Sequence, residues 1–170
     1  SNSSLAYACI NLAAGKTLTF LGGTMSVTGI SDKSYNPEGM PGIKGNLVML
    51  DGTMTVKGGD AYDASSLISA GPGGSGIFGN VTVKGGSLKT VGGNGGYGAI
   101  GGNGGSGIYG LVTVYDGNVI ATGGEGGNGS SEGSGNGGYG ISGTLIAQGG
   151  KVTATGGDGG NNYSQTKCGT

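Results

Sequence analysis

Four polar residues recur at one place in this chain and carry the side chains for chemistry. Asp60, Asn94, Glu125 and Asp158 each follow directly on a Gly-Gly pair. If equivalent residues stack on neighbouring coils of a repeating fold, Glu125 and Asp158 stand about 5 Å apart. That is close to the carboxyl separation of a retaining glycosidase, which makes these two the candidate catalytic pair. Together with Asp60 they also offer the oxygen ligands that Ca²⁺ takes. Asp and Asn equally favour turns, because their side chains cap nearby backbone, and turn chemistry is the plainer expectation for this row.

A second group is aromatic. Phe78 and Tyr109 share one repeat position with Lys44 and Ser142, while Tyr115 shares another with Leu50, Lys84 and Gln148. Aromatic side chains facing outward on adjacent coils suit stacking against sugar rings or burial under another protein. Phe78, Tyr109 and Tyr115 are therefore the candidate ligand-binding residues, unless a neighbouring arm covers them.

The remaining chemistry is narrowed by what the chain lacks. It has no histidine, arginine or tryptophan. Ser-His-Asp and Cys-His sets are thereby excluded. Asp51 and Asp116 share a repeat position but lie two coils apart, about 10 Å, which is wide for a shared proton. The Gly-Gly-Asn-Gly-Gly segments lack the Asp at each nine-residue step that calcium-binding nonapeptide repeats need. Thr-x-Thr pairs suggest a flat ice-matching ladder, but Lys89 and Ile120 interrupt it. The formal net charge of −1, with 10% charged residues, leaves no basic patch for nucleic acid or an anionic membrane. No apolar run is long enough to span a membrane as a helix.

What must position these residues is a repeat. Ile43, Ile77, Ile108 and Ile141 recur at spacings of 34, 31 and 33 residues. At fixed offsets follow Leu47, Val81, Val112 and Leu145, then Met49, Val83, Val114 and Ala147. A glycine comes next (Gly52, Gly86, Gly117, Gly150), then Met54, Leu88, Val119 and Val152. A fainter first copy fits with Ala14, Leu18, Phe20, Gly23 and Met25. Self-similarity at this period signals a solenoid, and period-two alternation with β-branched residues signals strands. The expectation is an all-β, right-handed, single-stranded parallel β-helix of about five coils of 31–34 residues, the handedness coming from the crossover rule. Residues 1–13 read as an N-terminal cap or partial coil and 14–170 as the single β-helix domain. Helix is expected nowhere beyond a turn near 3–12 or 61–69.

Length variation is confined to arms after each third strand: 31–42, 60–76, 94–107, 125–140 and 158 onward. They read as surface loops on one edge, with the apolar arm around Ala61–Ser69 packing onto the coil. The 47 glycines follow no Gly-X-Y period along the chain, so collagen is excluded. Cys9 and Cys168 fall at opposite ends of the stack, about 24 Å apart, and are expected as free or capped thiols rather than a bridge. The opening Ser1-Asn2 has the look of a scar ahead of a fragment of a longer protein.

The copies 76–86 (Gly-Ile-Phe-Gly-Asn-Val-Thr-Val-Lys-Gly-Gly) and 149–157 resemble the glycine-rich repeat regions of large secreted or wall-attached, adhesin-like proteins of gut bacteria. Those regions are similar to right-handed β-helices of the pectate-lyase-like type. The resemblance spans 14–160 and carries over no functional residue. It implies a secreted or cell-surface bacterial module, structural or adhesive, whose partner is a glycan or a surface protein, with no cofactor beyond a calcium option. A polysaccharide lyase or glycoside hydrolase is the alternative, and an inert stalk spacer a third. Coil ends invite end-to-end association.

Overall fold

A computed structural model describes residues 8–31, 38–65 and 68–163. Among these the chain is all β, with no helix. Three parallel sheets, each five strands deep, stack about four turns of a β-solenoid.

The first sheet aligns Ile10, Ile43, Ile77, Ile108 and Ile141. The second aligns Leu18, Leu47, Val81, Val112 and Leu145. The third aligns Met25, Met54, Leu88, Val119 and Val152. Side chains alternate along each strand, so every second residue points into the coil and forms an aliphatic file along the axis. Ile43, Ile77, Ile108, Met49, Val83 and Val114 are completely buried there. Between the second and third strands the chain turns at Gly23, Gly52, Gly86, Gly117 and Gly150, all with φ between 71° and 91°. A side chain there would strain the backbone.

One register expectation is corrected. Ile10, not Ala14, holds the isoleucine position of the first coil and pairs with Ile43. The step from Ile10 to Leu18 takes eight residues where later coils take four, because 13–16 bulge as a turn closed by Lys16 N–H donating to Ala13 O (3.0 Å). One inward residue is polar. Thr90 stacks between Val56 and Ala121, and its buried Oγ1 has no hydrogen-bond partner among the described residues. A buried hydroxyl without a partner costs about 1–3 kcal/mol. Thr90→Val keeps the shape and should raise the urea unfolding free energy by about 1 kcal/mol.

The arms 94–107 and 125–140 are not surface loops. With the Gly-Gly pairs before them they run outward and back largely in Gly-Gly-x triplets, with the three-residue period of a polyproline II helix. Each position of the triplet has its own partner. The first donates to the same leg of the next coil: Gly92, Gly95 and Gly98 to Thr122 O, Glu125 O and Asn128 O. The second donates across to a leg of opposite direction. Gly74, Gly93, Gly105, Gly124, Gly138 and Gly157 form one continuous file, each donating to the glycine before it at 2.8 Å, starting from Gly59 O. The third carries the side chain outward. A Cβ on Gly93 would meet Gly59 O at 1.9 Å, and one on Gly105 would meet Gly74 O at 2.1 Å. Glycine is required because neighbouring backbones touch. The arms thus extend the hydrophobic coil with a slab whose interior is backbone alone, its amides satisfied leg to leg.

The arm expected to pack onto the coil joins the same slab, through Ala61, Ala64 and Ala70 donating to Asn94 O, Tyr97 O and Ile100 O. At the arm tips Gly98–Ile100 and Gly129–Gly133 pair as a short parallel sheet. Cys9 is an exposed free thiol; Cys168 lies outside the described residues.

Candidate functional site

The row Asp60, Asn94, Glu125 and Asp158 does stack, at the third position of the outgoing triplets. Its side chains bridge coils. Asp60 Oδ1 accepts Asn94 N–H at 2.8 Å, and Asn94 Oδ1 accepts Glu125 N–H at 3.0 Å. Asp60 Oδ2 also accepts from Lys57 Nζ at 2.8 Å, so both its carboxylate oxygens are engaged. The pair is half exposed, a setting in which an ion pair contributes under about 1 kcal/mol. Glu125 and Asp158 stand on adjacent legs, joined through Gly126 N–H donating to Asp158 O at 2.8 Å, with both side chains exposed.

The same device recurs elsewhere. Asp63 caps Tyr97, Asn103 caps Asn136, and Asn128 caps Asn161, at 2.7 to 2.8 Å. On the coil, Asn46 caps Asn80 and Asn80 caps Leu111 at 3.1 Å. In the arms these oxygens accept the third-position backbone amide of the triplets ending at Asn94, Tyr97, Glu125, Asn136 and Asn161. Asp51 and Asp116 each accept the N–H of the following corner glycine at 2.7 Å. Asp60, Asp63 and the capping asparagines thus hold a backbone amide one coil away, whereas Asp51 and Asp116 cap their own corner. Asp60→Ala should cost about 1 kcal/mol in urea, the net worth of such a bond, while Asp60→Asn keeps the acceptor and should stay within about 0.5 kcal/mol of wild type. Equal losses in both variants would place the contribution in the charge instead.

The aromatic row lies elsewhere, on the outward side of the first sheet, in the order Asn11, Lys44, Phe78, Tyr109, Ser142. Phe78 and Tyr109 are about half exposed, and their rings stack with centroids 5.0 Å apart and planes 1° from parallel. Parallel rings this close must overlap, so one face of each is partly covered by the other. The outward platform expected from the sequence is thereby reduced. What stays open is the ring edges, the Phe78 face toward Lys44 and the Tyr109 face toward Ser142. Tyr115 is exposed at the end of the second sheet, where its N–H donates to Val83 O, and has no ring partner among the described residues.

Beside the free face of Phe78 is a hollow of about 400 Å³. Its far wall is the 13–16 bulge, and Asn11, Lys16, Lys44 and Asn46 line it with Phe78. Lys16, Asn11 and Asn46 were not legible as site residues, because the bulge that gathers them appears only once Ile10 replaces Ala14 at the head of the first coil. Among the described residues no group of three or more Cys, Asp or Glu is placed to hold a metal ion. Comparison with known proteins found no matching family model, no matching curated protein and no matching solved structure.

Proposed function

We propose that this chain is a non-catalytic module of a secreted or cell-surface bacterial protein that binds glycans on the outward face of its first sheet, in the manner of adhesin-like repeat regions. The observation that carries the reading is the stacked, half-exposed Phe78–Tyr109 pair abutting a hollow lined by amides and lysines. An aromatic face next to hydrogen-bond donors is the combination that holds a sugar ring, apolar on its C–H side and polar at its edge. The hollow is lined by no carboxylate, and Glu125 and Asp158 stand exposed without lining it, which favours binding over a glycosidase or lyase. Tyr115, exposed at the end of the neighbouring sheet, is a separate candidate contact for a longer chain.

A glycan array tests it. Wild-type protein should retain a defined subset of glycans without releasing new reducing ends or unsaturated uronides. The Phe78→Ala/Tyr109→Ala double variant, folded by circular dichroism, should bind that subset at least about ten-fold more weakly, equivalent to 1.4 kcal/mol. Retention of nothing by the wild type would make the module a spacer. Turnover abolished by Glu125→Gln or Asp158→Asn would make it an enzyme.

A further inference from the structure

We propose that the hollow beside Phe78 selects a negatively charged sugar residue, a uronate or a sulfated sugar, an inference that rests on the glycan-binding reading and narrows it. The observation is one of charge and placement. The hollow is lined by two lysines, Lys16 and Lys44, and by no carboxylate. Among the described residues the ion pair is Lys57 with Asp60, and neither lysine of the hollow is paired with a described carboxylate.

The polar lining is biased toward donors. Asn46 Oδ1 is already taken by Asn80 N–H, which leaves the Asn46 amide N–H groups for a ligand. The wall itself is particular to one coil. Coils two to five pass from the first to the second strand through a single glycine step at Gly45, Gly79, Gly110 and Gly143, whereas the first coil inserts the 13–16 bulge there. That bulge brings Lys16 to the row on which Lys44 and Phe78 stand one coil apart. A pyranose on the free Phe78 face would put an equatorial or exocyclic anion within the reach of two flexible ammonium groups. Lysine suits this task as a mobile point charge that accepts carboxylate or sulfate alike.

Calorimetry on the whole chain with three hexasaccharides tests the assignment: an oligogalacturonate, a sulfated galactan fragment and a neutral cello-oligosaccharide. At least one anionic ligand should bind about ten-fold or more tighter than the neutral one, and the arm that binds identifies the anion. Lys16→Gln and Lys44→Gln should each weaken that ligand about two- to five-fold, the range of an exposed charge pair, with binding falling as salt rises. Lys151→Gln, on the last coil, should leave it unchanged. Equal affinity for the neutral ligand, or full affinity in the double lysine variant, overturns the charge selection; Phe78-dependent binding in that case keeps the glycan reading. Binding of none of the three also overturns the selection, and the glycan reading then stands or falls on the array.

Discussion

Gly93→Ala is expected to be strongly destabilising. The added Cβ would sit 1.9 Å from Gly59 O and 2.5 Å from Gly59 C. Neither atom belongs to a side chain that can swing away; both are backbone held on either side by the file through Gly74 and Met40. Ordinary overpacking costs about 1–3 kcal/mol because neighbours relax. Here relaxation means separating two legs of the slab, so a loss of about 3 kcal/mol or more is expected, among the large values that point mutants reach. For a chain of this size that lowers the thermal midpoint by roughly 6–12 °C. Gly159→Ala is the internal control. It occupies the last leg, its φ is unexceptional, and its Cβ would meet only Gly135 O at 3.7 Å, an ordinary contact. It should melt within a degree or two of wild type. If both alanines are tolerated alike, the close packing of the arms is wrong.

The second large effect lies in the coil. Ile108→Ala removes a completely buried side chain from the middle of the isoleucine file, between Ile77 and Ile141. Such a truncation costs about 2–5 kcal/mol, since close-packed neighbours collapse only partly into the space. A solenoid adds position to chemistry. Each coil is stabilised by its two neighbours, so a cavity in an inner coil weakens two interfaces. Leu145→Ala, on the last coil where the residue is 44% exposed, should cost under about 1 kcal/mol, because less area leaves water on folding. Urea denaturation of the two variants measures the difference.

The coil was legible because its register is written in side-chain volume. Isoleucine, leucine, valine and methionine at fixed offsets have no alternative to an inward file, and every pairing from Leu18 to Val152 follows them. The head of the first coil misled for a simple reason. Ala14 sits four residues before Leu18, where the frame wants an apolar residue, and it masked the inserted bulge. The arms were illegible to hydrophobic periodicity, which has nothing to count in glycine. Their signal is composition at period three: Gly92-Gly93-Asn94, Gly95-Gly96-Tyr97, then Gly101-Gly102-Asn103 and Gly104-Gly105-Ser106 on the return. Read as triplets, these specify two faces of backbone contact and one of side chain. Differences in arm length hide this period when coils are aligned on their isoleucines.

The candidate site divides in the same way. That Asp60, Asn94, Glu125 and Asp158 stack, and that Phe78 and Tyr109 share a row, follows from register alone. What the side chains do does not follow from register. Whether Asp60 faces a substrate or the amide of Asn94 depends on an unpaired N–H that exists only because the arm is ordered. Whether two aromatics present faces or stack depends on rotamers that the strand leaves open. In the acidic row Asp60 and Asn94 cap backbone and Glu125 and Asp158 stand exposed, whereas near Phe78 a ring face and two ammonium groups that are unpaired among the described residues line one hollow.

Everything in this division depends on the arms being a packed slab rather than solvated loops. Amide hydrogen exchange, read residue by residue by NMR, tests that directly. Gly93, Gly105, Gly124 and Gly138 donate to buried carbonyls in one continuous file, and exchange there requires opening the stack. Their protection should match that of Val112–Val114 in the coil. Exchange of these glycines at free-chain rates, with Val112–Val114 still protected, would contradict the slab and with it the capping role of Asp60 and Asn94.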